Sequence, residues 1–410
     1  MNKKQILLIS PHFFPENFKC NDVAFELFER GYKVTVLSDI PNYPGGKFFK
    51  GYGVFHKRKE IIRGVKIYRT LMTPRGDGSG KMLALNYMTF ALTSSLRVLW
   101  WCIASFWDKS KRFDVVLVHE TSPVTVGIPA VIIRVLQRKS RLLFWVLDLW
   151  PESMQVAGGI NNRTVLNIFD GLTKWIYRHS DKILVSSKGF KESICKKGDF
   201  CHKLEYFPNW AEEAMTASED YILPKLPTGF KVMFAGNIGE AQDFEHTLDA
   251  FRRIARFNSD IHLILVGDGR KRMWVEDYLK KYHLERTVHC VGYHPLEAMG
   301  KFFSQADVLF FALKDSLIFN LTCPAKLQAY MNAGKPIVAM LNGEGASIVT
   351  EAECGITVPA GDSETLASVI VQMADMSKQQ LTDMGEKGRQ YCKENFSFDR
   401  NMDNLEMWMF

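Results

Sequence analysis

Short apolar segments that recur along the whole chain are the feature that most restricts its fold. Each segment is too short for a typical helix and is followed by a loop and then by residues with helical spacing of apolar positions. Strands that are buried on both faces of a parallel sheet read as such runs. The alternation therefore predicts an α/β protein with doubly wound sheets. The predicted strands are residues 5–10, 33–37, 114–118, 142–147, 182–186, 231–235, 261–266, 288–291, 307–311, 337–341 and 355–358.

The series of strands is interrupted once, by a polar segment with two prolines. This segment, residues 212–228, reads as a linker, and the strand series begins again directly after it. A chain of 410 residues is long enough for two domains that each have a core. We predict a first domain over residues 1–210 and a second over residues 211–394.

The composition restricts the class of protein and its partners. Hydrophobic residues make up 47% and charged residues 24%, as in a soluble or peripheral globular protein. The formal charge of +7 favours anionic partners, such as nucleotide diphosphates, anionic lipid or nucleic acid. The eight cysteines form no Cys-x-x-Cys pair, so we expect them to be reduced and to hold no zinc. The start, MNKKQILLIS, has no cleavable signal pattern, which predicts a cytoplasmic protein.

Residues 314–341 read as a loop, a helix, a turn and a strand in quick succession. Thr322 is the predicted N-cap, and Pro324 falls in the first turn, where a missing N–H costs nothing. Gly334 ends the helix. The start of a helix beside a strand end offers free N–H groups and a positive dipole, which suit a diphosphate. Lys326 adds a mobile positive charge there.

The run NLTCPAKLQAYMNAGKPIVA resembles the nucleotide-sugar loop of the family 4 retaining glycosyltransferases, and DLWPES at residues 148–153 matches one subgroup of them. The resemblance implies the GT-B fold, two Rossmann-like doubly wound domains facing across a cleft, with a tail at residues 395–410 that packs back on the first domain. The family usually carries Glu-x7-Glu across this loop, whereas this chain has Asn320 and Gln328. The subgroup includes the bacterial N-acetyl-L-fucosamine transferases of O-antigen and capsule assembly.

The resemblance implies that the second domain binds the nucleotide sugar. Glycines after the first strand of that domain let backbone approach a phosphate or sugar, and Arg270 supplies the charge that this loop lacks. A plain structural turn is the alternative at both loops. The expected donor-binding residues are Gly236, Asn237, Gly239, Arg270, Tyr293, Asn320, Leu321, Thr322, Lys326 and Gln328.

Three side chains at strand ends of the first domain are the candidate catalytic groups. His119 and Glu120 follow one predicted strand, and in the resembling family a histidine or acid there lies beside the donor sugar. Either could accept the proton of the acceptor, or His119 could be a loop histidine bonded to backbone. Asp148 is within reach of an acceptor hydroxyl or caps the next helix.

The acceptor-binding candidates are His12, Glu16, Asn42 and Tyr43. The first two lie in the loop after the first strand, where open α/β sheets place ligands, although a rigid turn is the alternative. No Gly-x-Gly-x-x-Gly follows that strand, which weighs against a dinucleotide-dependent dehydrogenase. Asn42 and Tyr43 belong to a loop rich in Pro, Gly and aromatic residues that lines the acceptor site in the resembling family.

Residues 82–107 are the most apolar part of the chain and have basic residues on both sides. The segment is long enough to span a bilayer, but Asn86, Ser94, Ser95 and Arg97 interrupt it. A core helix, an interfacial helix and a true span remain open. A place inside a βα series argues against the span.

The sequence therefore predicts a metal-independent retaining glycosyltransferase of bacterial surface polysaccharide biosynthesis. We expect a UDP-sugar donor, such as UDP-L-FucNAc, and a polyprenyl-diphosphate-linked acceptor at the cytoplasmic face of the inner membrane, with no cofactor, no bound metal and no nucleic acid. Two alternatives are a nucleotide-sugar epimerase on the same fold and a non-catalytic lipid- or carbohydrate-binding relative. The missing paired carboxylates argue against the epimerase, and the intact Lys326 loop argues against the binding protein.

Overall fold

The computed structural model describes residues 3–156, 159–211 and 221–410. Their contacts divide the chain into two compact units. Unit 1 comprises residues 1–208 and 399–410, and unit 2 comprises residues 209–398. The predicted linker spans residues 212–228, and its first part, residues 212–220, lies outside the described residues.

Unit 1 is built on an eight-stranded sheet in the order β3-β4-β2-β1-β5-β6-β7-β8. All neighbouring strands are parallel except the β3–β4 hairpin at one edge. The central strands are continuous apolar runs because both faces of the sheet are covered. The strands are β1 Gln5–Ile9, β2 Lys33–Ser38, β3 Lys59–Ile62, β4 Val65–Arg69, β5 Val115–Glu120, β6 Arg141–Val146, β7 Lys182–Val185 and β8 Leu204–Tyr206.

Among the described residues of unit 1, seven α-helices are present, and the last of them follows unit 2 in the sequence. They are α1 Lys19–Glu29, α2 Gly80–Ala104, α3 Gly127–Leu136, α4 Glu152–Val156, α5 Arg163–His179, α6 Phe190–Lys197 and α15 Phe398–Met409. The helix α15 is tied to unit 1 by Arg30, which donates to Asp403 at 2.7 Å and pairs with Glu406. Trp408 packs edge-on against Phe207.

Unit 2 has a six-stranded parallel sheet in the order β11-β10-β9-β12-β13-β14. Alternate residues of β9 enter different cores: Val232 and Phe234 join one apolar cluster, Met233 and Ala235 the other. Helices therefore cover both faces of this sheet. The elements are β9 Phe230–Ala235, α7 Phe244–Ile254, β10 Ile261–Val266, α8 Arg272–Tyr282, β11 Val288–Gly292, α9 Met299–Gln305, β12 Val308–Ala312, α10 Leu317–Leu321, α11 Ala325–Asn332, β13 Ile337–Met340, α12 Glu344–Glu351, β14 Gly355–Val358, α13 Ser363–Ala374 and α14 Lys378–Asn395.

One sequence expectation about local structure is wrong. Thr322 is not the N-cap of α11; it ends α10, donates its hydroxyl to the Ile318 carbonyl, and Pro324 occupies the cap position. Arg69, the last residue of β4, is 1% exposed because its guanidinium donates to Glu60 and to two backbone carbonyls.

The expectation that all eight cysteines are reduced is also wrong. Cys195 and Cys201 form a disulfide, because the end of α6 and the turn after it bring their Cα atoms to 5.2 Å. The other six cysteines are not part of a disulfide.

The apolar segment 82–107 is mostly the helix α2, and this helix has two different faces. One face is buried and includes Phe90, Val98 and Trp101. The opposite face exposes a stripe of large apolar side chains. Within the part of the chain that the structure describes, no helix has the length and hydropathy required to cross a membrane.

Candidate functional site

The candidate donor site lies at the carboxyl edge of the sheet in unit 2. Three loops meet there through backbone bonds: Ile238 N–H donates to the Asp268 carbonyl at 2.8 Å, and Gly267 N–H to the Gly292 carbonyl at 2.8 Å. Gly267 has φ +141°, and a Cβ there would lie 1.9 Å from the Gly236 carbonyl oxygen. Only glycine allows this approach, so the glycine loops form a close-packed floor, and their contact with a phosphate or sugar stays a prediction.

Lys326 is the side chain that the fold places most specifically at this floor. Its Nζ donates to Gln242 Oε1 at 2.8 Å and lies 3.6 Å from the centre of the Phe234 ring. A Cβ on Gly236 would come within 2.7 Å of Lys326 Cε. Burial lowers the pKa of this ammonium to about 7. Lys326 is therefore held in place and is not the mobile charge that the sequence predicted.

The short helix α10 precedes Lys326 and carries three of the predicted donor residues. Ser316 caps it by accepting the Phe319 N–H at 3.3 Å. Asn320 donates its amide to Asp315 at 2.8 Å, and Leu321 and Thr322 are half-buried at the end of the helix. This helix therefore brings Asn320 and Thr322 to the segment that leads into α11, where Lys326 lies.

Gln328 lies deeper than the predicted ribose contact would require. It is 2% exposed, and its Nε2 donates to the Asn209 carbonyl at 3.0 Å. The neighbouring Tyr330 supplies its hydroxyl to both backbone groups of Ala235, which ties α11 to the end of β9. The contact of Gln328 with ribose stays a prediction.

Arg270 and Tyr293 are both exposed at the ends of β10 and β11. Arg270 follows the Gly267 turn, and Tyr293, directly after Gly292, is 74% exposed. Lys271, which follows Arg270, forms salt bridges with Glu240 and Glu245. Asn237 and Gly239 belong to the loop after β9, in which Asn237 is exposed and Gly239 is buried.

A cavity of about 440 Å³ also opens on unit 2, but predicted donor residues do not line it. Its lining comes from the starts of α7 and α13 and from the loop after β12. A second cavity, of about 520 Å³, lies in unit 1 near the amino ends of β6 and β7 and is lined by basic residues that include Arg138 and Lys203. Neither cavity coincides with the expected site residues.

In unit 1 the four predicted acceptor residues meet at Glu16. Its Oε1 accepts the backbone N–H groups of Asn42 and Tyr43 at 2.7 and 2.6 Å, and its Oε2 lies 3.0 Å from His12 Nδ1. His12, Glu16 and Asn42 are buried, whereas Tyr43 is 41% exposed. The four residues thus lie close together, and their role in binding the acceptor stays a prediction.

His119 and Glu120 are the last residues of β5 and are buried, not loop residues after the strand. His119 Nδ1 is 3.0 Å from Ser10 Oγ, and burial, with a smaller effect of His12, lowers its pKa to about 3. Burial, with Asp148 adding repulsion, raises the pKa of Glu120 well above its usual value. His119 is therefore a weak base that is neutral near pH 7, and burial favours the protonated form of Glu120.

Asp148 is the more accessible of the three predicted catalytic groups. It follows β6, is half-buried, and accepts a hydrogen bond from the Ser153 hydroxyl. Burial raises its pKa. The contact of Asp148 with an acceptor hydroxyl stays a prediction.

Asp39 and Gln242 are the site residues that the sequence analysis missed. Asp39 directly follows β2, beside His12, and is completely buried. Burial, with Glu16 adding repulsion, raises the pKa of Asp39 well above its usual value. Its position at the carboxyl end of a predicted strand was the available signal. Gln242 offered no signal, because its role depends on Lys326 being nearby.

Comparison with protein families gives one match within unit 2. Residues 229–376 match the family described as "Glycosyl transferases group 1". Among curated proteins, the putative colanic acid biosynthesis glycosyl transferase WcaI of Escherichia coli (strain K12) is 21% identical over 309 residues, 72% of this chain and 72% of that protein. The prediction that this protein is a glycosyltransferase is confirmed.

Solved glycosyltransferase structures resemble the whole chain. Sucrose-phosphate synthase from Thermosynechococcus elongatus superposes with a TM-score of 0.71 and 16% identity over 99% of this chain and 98% of that one. HepE of Anabaena, solved with UDP and glucose, superposes with a TM-score of 0.65 and 13% identity over 98% of each chain. The likeness shows the fold, which is GT-B, as predicted. The specific closeness to N-acetyl-L-fucosamine transferases is not established by these matches.

Proposed function

We propose that this protein transfers a sugar, an N-acetylated deoxyamino sugar such as L-FucNAc, from a UDP-sugar to a polyprenyl-diphosphate-linked saccharide, with retention of configuration. The reaction would serve bacterial surface polysaccharide biosynthesis at the cytoplasmic face of the inner membrane. The observation that carries the proposal is the half-buried Lys326 ammonium beside Gly236 at the carboxyl edge of the unit 2 sheet. HepE, which shares the fold, was solved with UDP.

The electrostatics of Lys326 favour a diphosphate as the ligand. Its neighbours are a neutral amide and an aromatic ring, so no carboxylate competes for the charge. Burial alone lowers its pKa. An anion placed against Nζ would restore the favourable charge and would be held further by the dipole of α11. The same groups would stabilise the leaving diphosphate, and no divalent ion would be needed there.

Asp148 is the group that we propose for the acceptor hydroxyl. His119 is too weak a base, and Glu120 is completely buried. The raised pKa of Asp148 brings its basicity closer to that needed for proton transfer near neutral pH. His119 would contribute as a neutral hydrogen-bonding group.

The exposed stripe of α2 supports the proposed place at a membrane. Leu92, Leu96 and Ile103 are 62%, 57% and 56% exposed, at helical spacing, and Trp107 beyond the helix is 81% exposed. A helix with apolar residues all round is normally buried. Basic residues at both ends, Lys81 and Lys109 among them, complement anionic headgroups. We propose that this stripe lies on an anionic bilayer surface.

UDP binding to the purified full-length chain tests the donor site. We expect Lys326→Met to weaken UDP binding about 10- to 100-fold, because one charge-assisted bond contributes about 1.5–3 kcal/mol. Lys335→Met is the matched control, because that lysine donates to the carbonyls of Ser304 and Ala306 and should leave the affinity unchanged. Equal affinities of wild type and Lys326→Met would refute the site, and UDP binding without sugar transfer would favour the non-catalytic alternative.

A further inference from the structure

Three buried titratable side chains converge in unit 1, whereas the candidate donor residues lie in unit 2. His12 and Glu16 come from the loop after β1, and Asp39 from the residue after β2. Because β1 and β2 are neighbouring parallel strands, their carboxyl ends lie side by side. The three residues are 4%, 2% and 0% exposed. A sugar could not reach them without rearrangement, so a ligand here must be as small as an ion, a water molecule or a proton.

The geometry of the three side chains suits a single metal ion. His12 Nδ1 lies 3.0 Å from Glu16 Oε2 and 3.9 Å from Asp39 Oδ2. One ligand atom from each residue falls within 4.8 Å of the others. An ion with bonds of about 2.0–2.2 Å holds ligand atoms up to about 4 Å apart, so a small contraction would complete the site.

The carboxyl group of Asp39 is the observation that calls for a ligand. Both of its oxygens are buried and accept no hydrogen bond from the described residues. The guanidinium of Arg69 donates to Glu60 and to the backbone carbonyls of Phe14 and Asp39. None of these hydrogen bonds goes to the Asp39 carboxyl group. The charges of Arg69 and Arg75 and the Asn42 side chain offset only part of the cost of burying this carboxylate. A bound cation would remove the remaining cost.

The surroundings hold the other two ligands in fixed positions. Two backbone N–H groups bind Glu16 Oε1, which directs Oε2 towards His12. The His12 ring is stacked on Phe18 with ring centres 4.8 Å apart. Fixed orientation of ligands by outer contacts is a property of metal sites.

We propose that His12, Glu16 and Asp39 bind one divalent cation of the Zn²⁺ class. One nitrogen and two carboxylate oxygens form a ligand set that this ion accepts, with a fourth position left for water. The ion ties the loop after β1 to the segment that carries Asn42 and Tyr43. It thereby fixes the two segments predicted to bind the acceptor. This proposal departs from the sequence prediction that the protein binds no metal.

Zinc binding to the metal-stripped, full-length protein tests the proposal. Zn²⁺ is titrated in competition with a chromophoric chelator, and thermal unfolding is followed with and without Zn²⁺. We expect one Zn²⁺ per chain in the wild type, a higher Tm with Zn²⁺, and at least 100-fold weaker binding in Asp39→Asn. Glu29→Gln, an exposed acid on α1, is the control and should bind Zn²⁺ like the wild type.

A second variant, His12→Gln, keeps the test decisive if Asp39→Asn does not fold, and it should also lose the bound ion. Absence of Zn²⁺ binding in the wild type, or binding that neither substitution weakens, would overturn the proposal and leave Asp39 as a buried protonated acid. UDP affinity measured on the same samples separates the two proposals. Intact UDP binding without Zn²⁺ binding overturns only the metal site, and the reverse overturns only the donor site.

Discussion

At the scale of single residues, Lys326 couples charge, burial and ligand binding. The fold places its ammonium among Phe234, Gln242 and Gly236, so the free protein stabilises the neutral amine. Its pKa falls from 10.5 to about 7. Between these values the unfolded chain binds more protons than the folded one, so the stability that depends on Lys326 rises with pH from about 7 to 10.5.

This coupling predicts proton uptake when UDP binds. A diphosphate favours the charged form of Lys326 and raises its pKa, so near pH 8 the complex gains up to about one proton. The affinity for UDP should therefore fall as the pH rises above about 7, by at most about tenfold per pH unit. Calorimetry in buffers of different ionisation enthalpy measures the uptake. The same uptake in Lys326→Met would assign the proton to another group.

At the scale of elements, α2 combines two apolar faces with different partners. The face with Phe90, Val98 and Trp101 packs on unit 1, and the face with Leu92 and Leu96 has solvent as its neighbour in the monomer. The sequence alone left core, interface and span open, because the apolar count of a helix does not reveal which side is covered. Core packing accounts for one face only.

We predict that the exposed face of α2 binds anionic vesicles. Replacing Leu92 and Leu96 together with Ser should lower the bound fraction at least about tenfold, because each buried CH₂ contributes about 0.8 kcal/mol. Co-sedimentation with phosphatidylglycerol-containing vesicles measures the effect. Phe257→Ser, an equally exposed apolar position in unit 2, is the matched control. Unchanged binding of the double variant would contradict the assignment of this face to the membrane.

The elements that the sequence predicted well are those with a strong local signal. The strands β10 and β14 have the predicted limits, because continuous apolar runs between turn residues are visible in one stretch of sequence. The helix α12 lacks such a signal, because Gly343 and Gly345 flank its first residue. The strand β8 is three residues long and is defined by its pairing with β7.

The residues of the candidate site also differ in whether a local sequence motif reveals them. Lys326 was visible in a local motif, whereas the contact with Gln242 and the meeting of Asp39 with His12 arise only when separate strand ends come together. The disulfide between Cys195 and Cys201 likewise depends on how α6 ends and has no signal in their spacing.

At the scale of the whole molecule, the chain leaves unit 1 after Pro208, forms unit 2, and returns to unit 1 with α15. Leu405 and Met402 are completely buried in the returning helix, and Asn401 donates to the Pro208 carbonyl at 2.9 Å. The predicted tail, residues 395–410, begins close to this return. Unit 1 thus depends on residues from both ends of the sequence.

This dependence predicts that substitutions in α15 destabilise unit 1. Leu405→Ala should lower the free energy of unfolding by about 2–5 kcal/mol, because it removes a buried side chain and leaves a cavity. Met407→Ala, whose side chain is 67% exposed, should change it by no more than about 0.5 kcal/mol. Hydrogen exchange should locate the lost protection in β1 to β8. Loss confined to β9 to β14 would contradict the assignment of α15 to unit 1.

The return of α15 also sets an order for folding during synthesis. The ribosome delivers residues 1–208 before unit 2, but the helix that completes their unit is translated only after unit 2. Unit 2 has all of its elements before α15 emerges. The growing chain therefore carries an unfinished first domain through most of translation, and the surface that awaits α15, including Phe207 and Tyr32, is the part that a chaperone would have to shield.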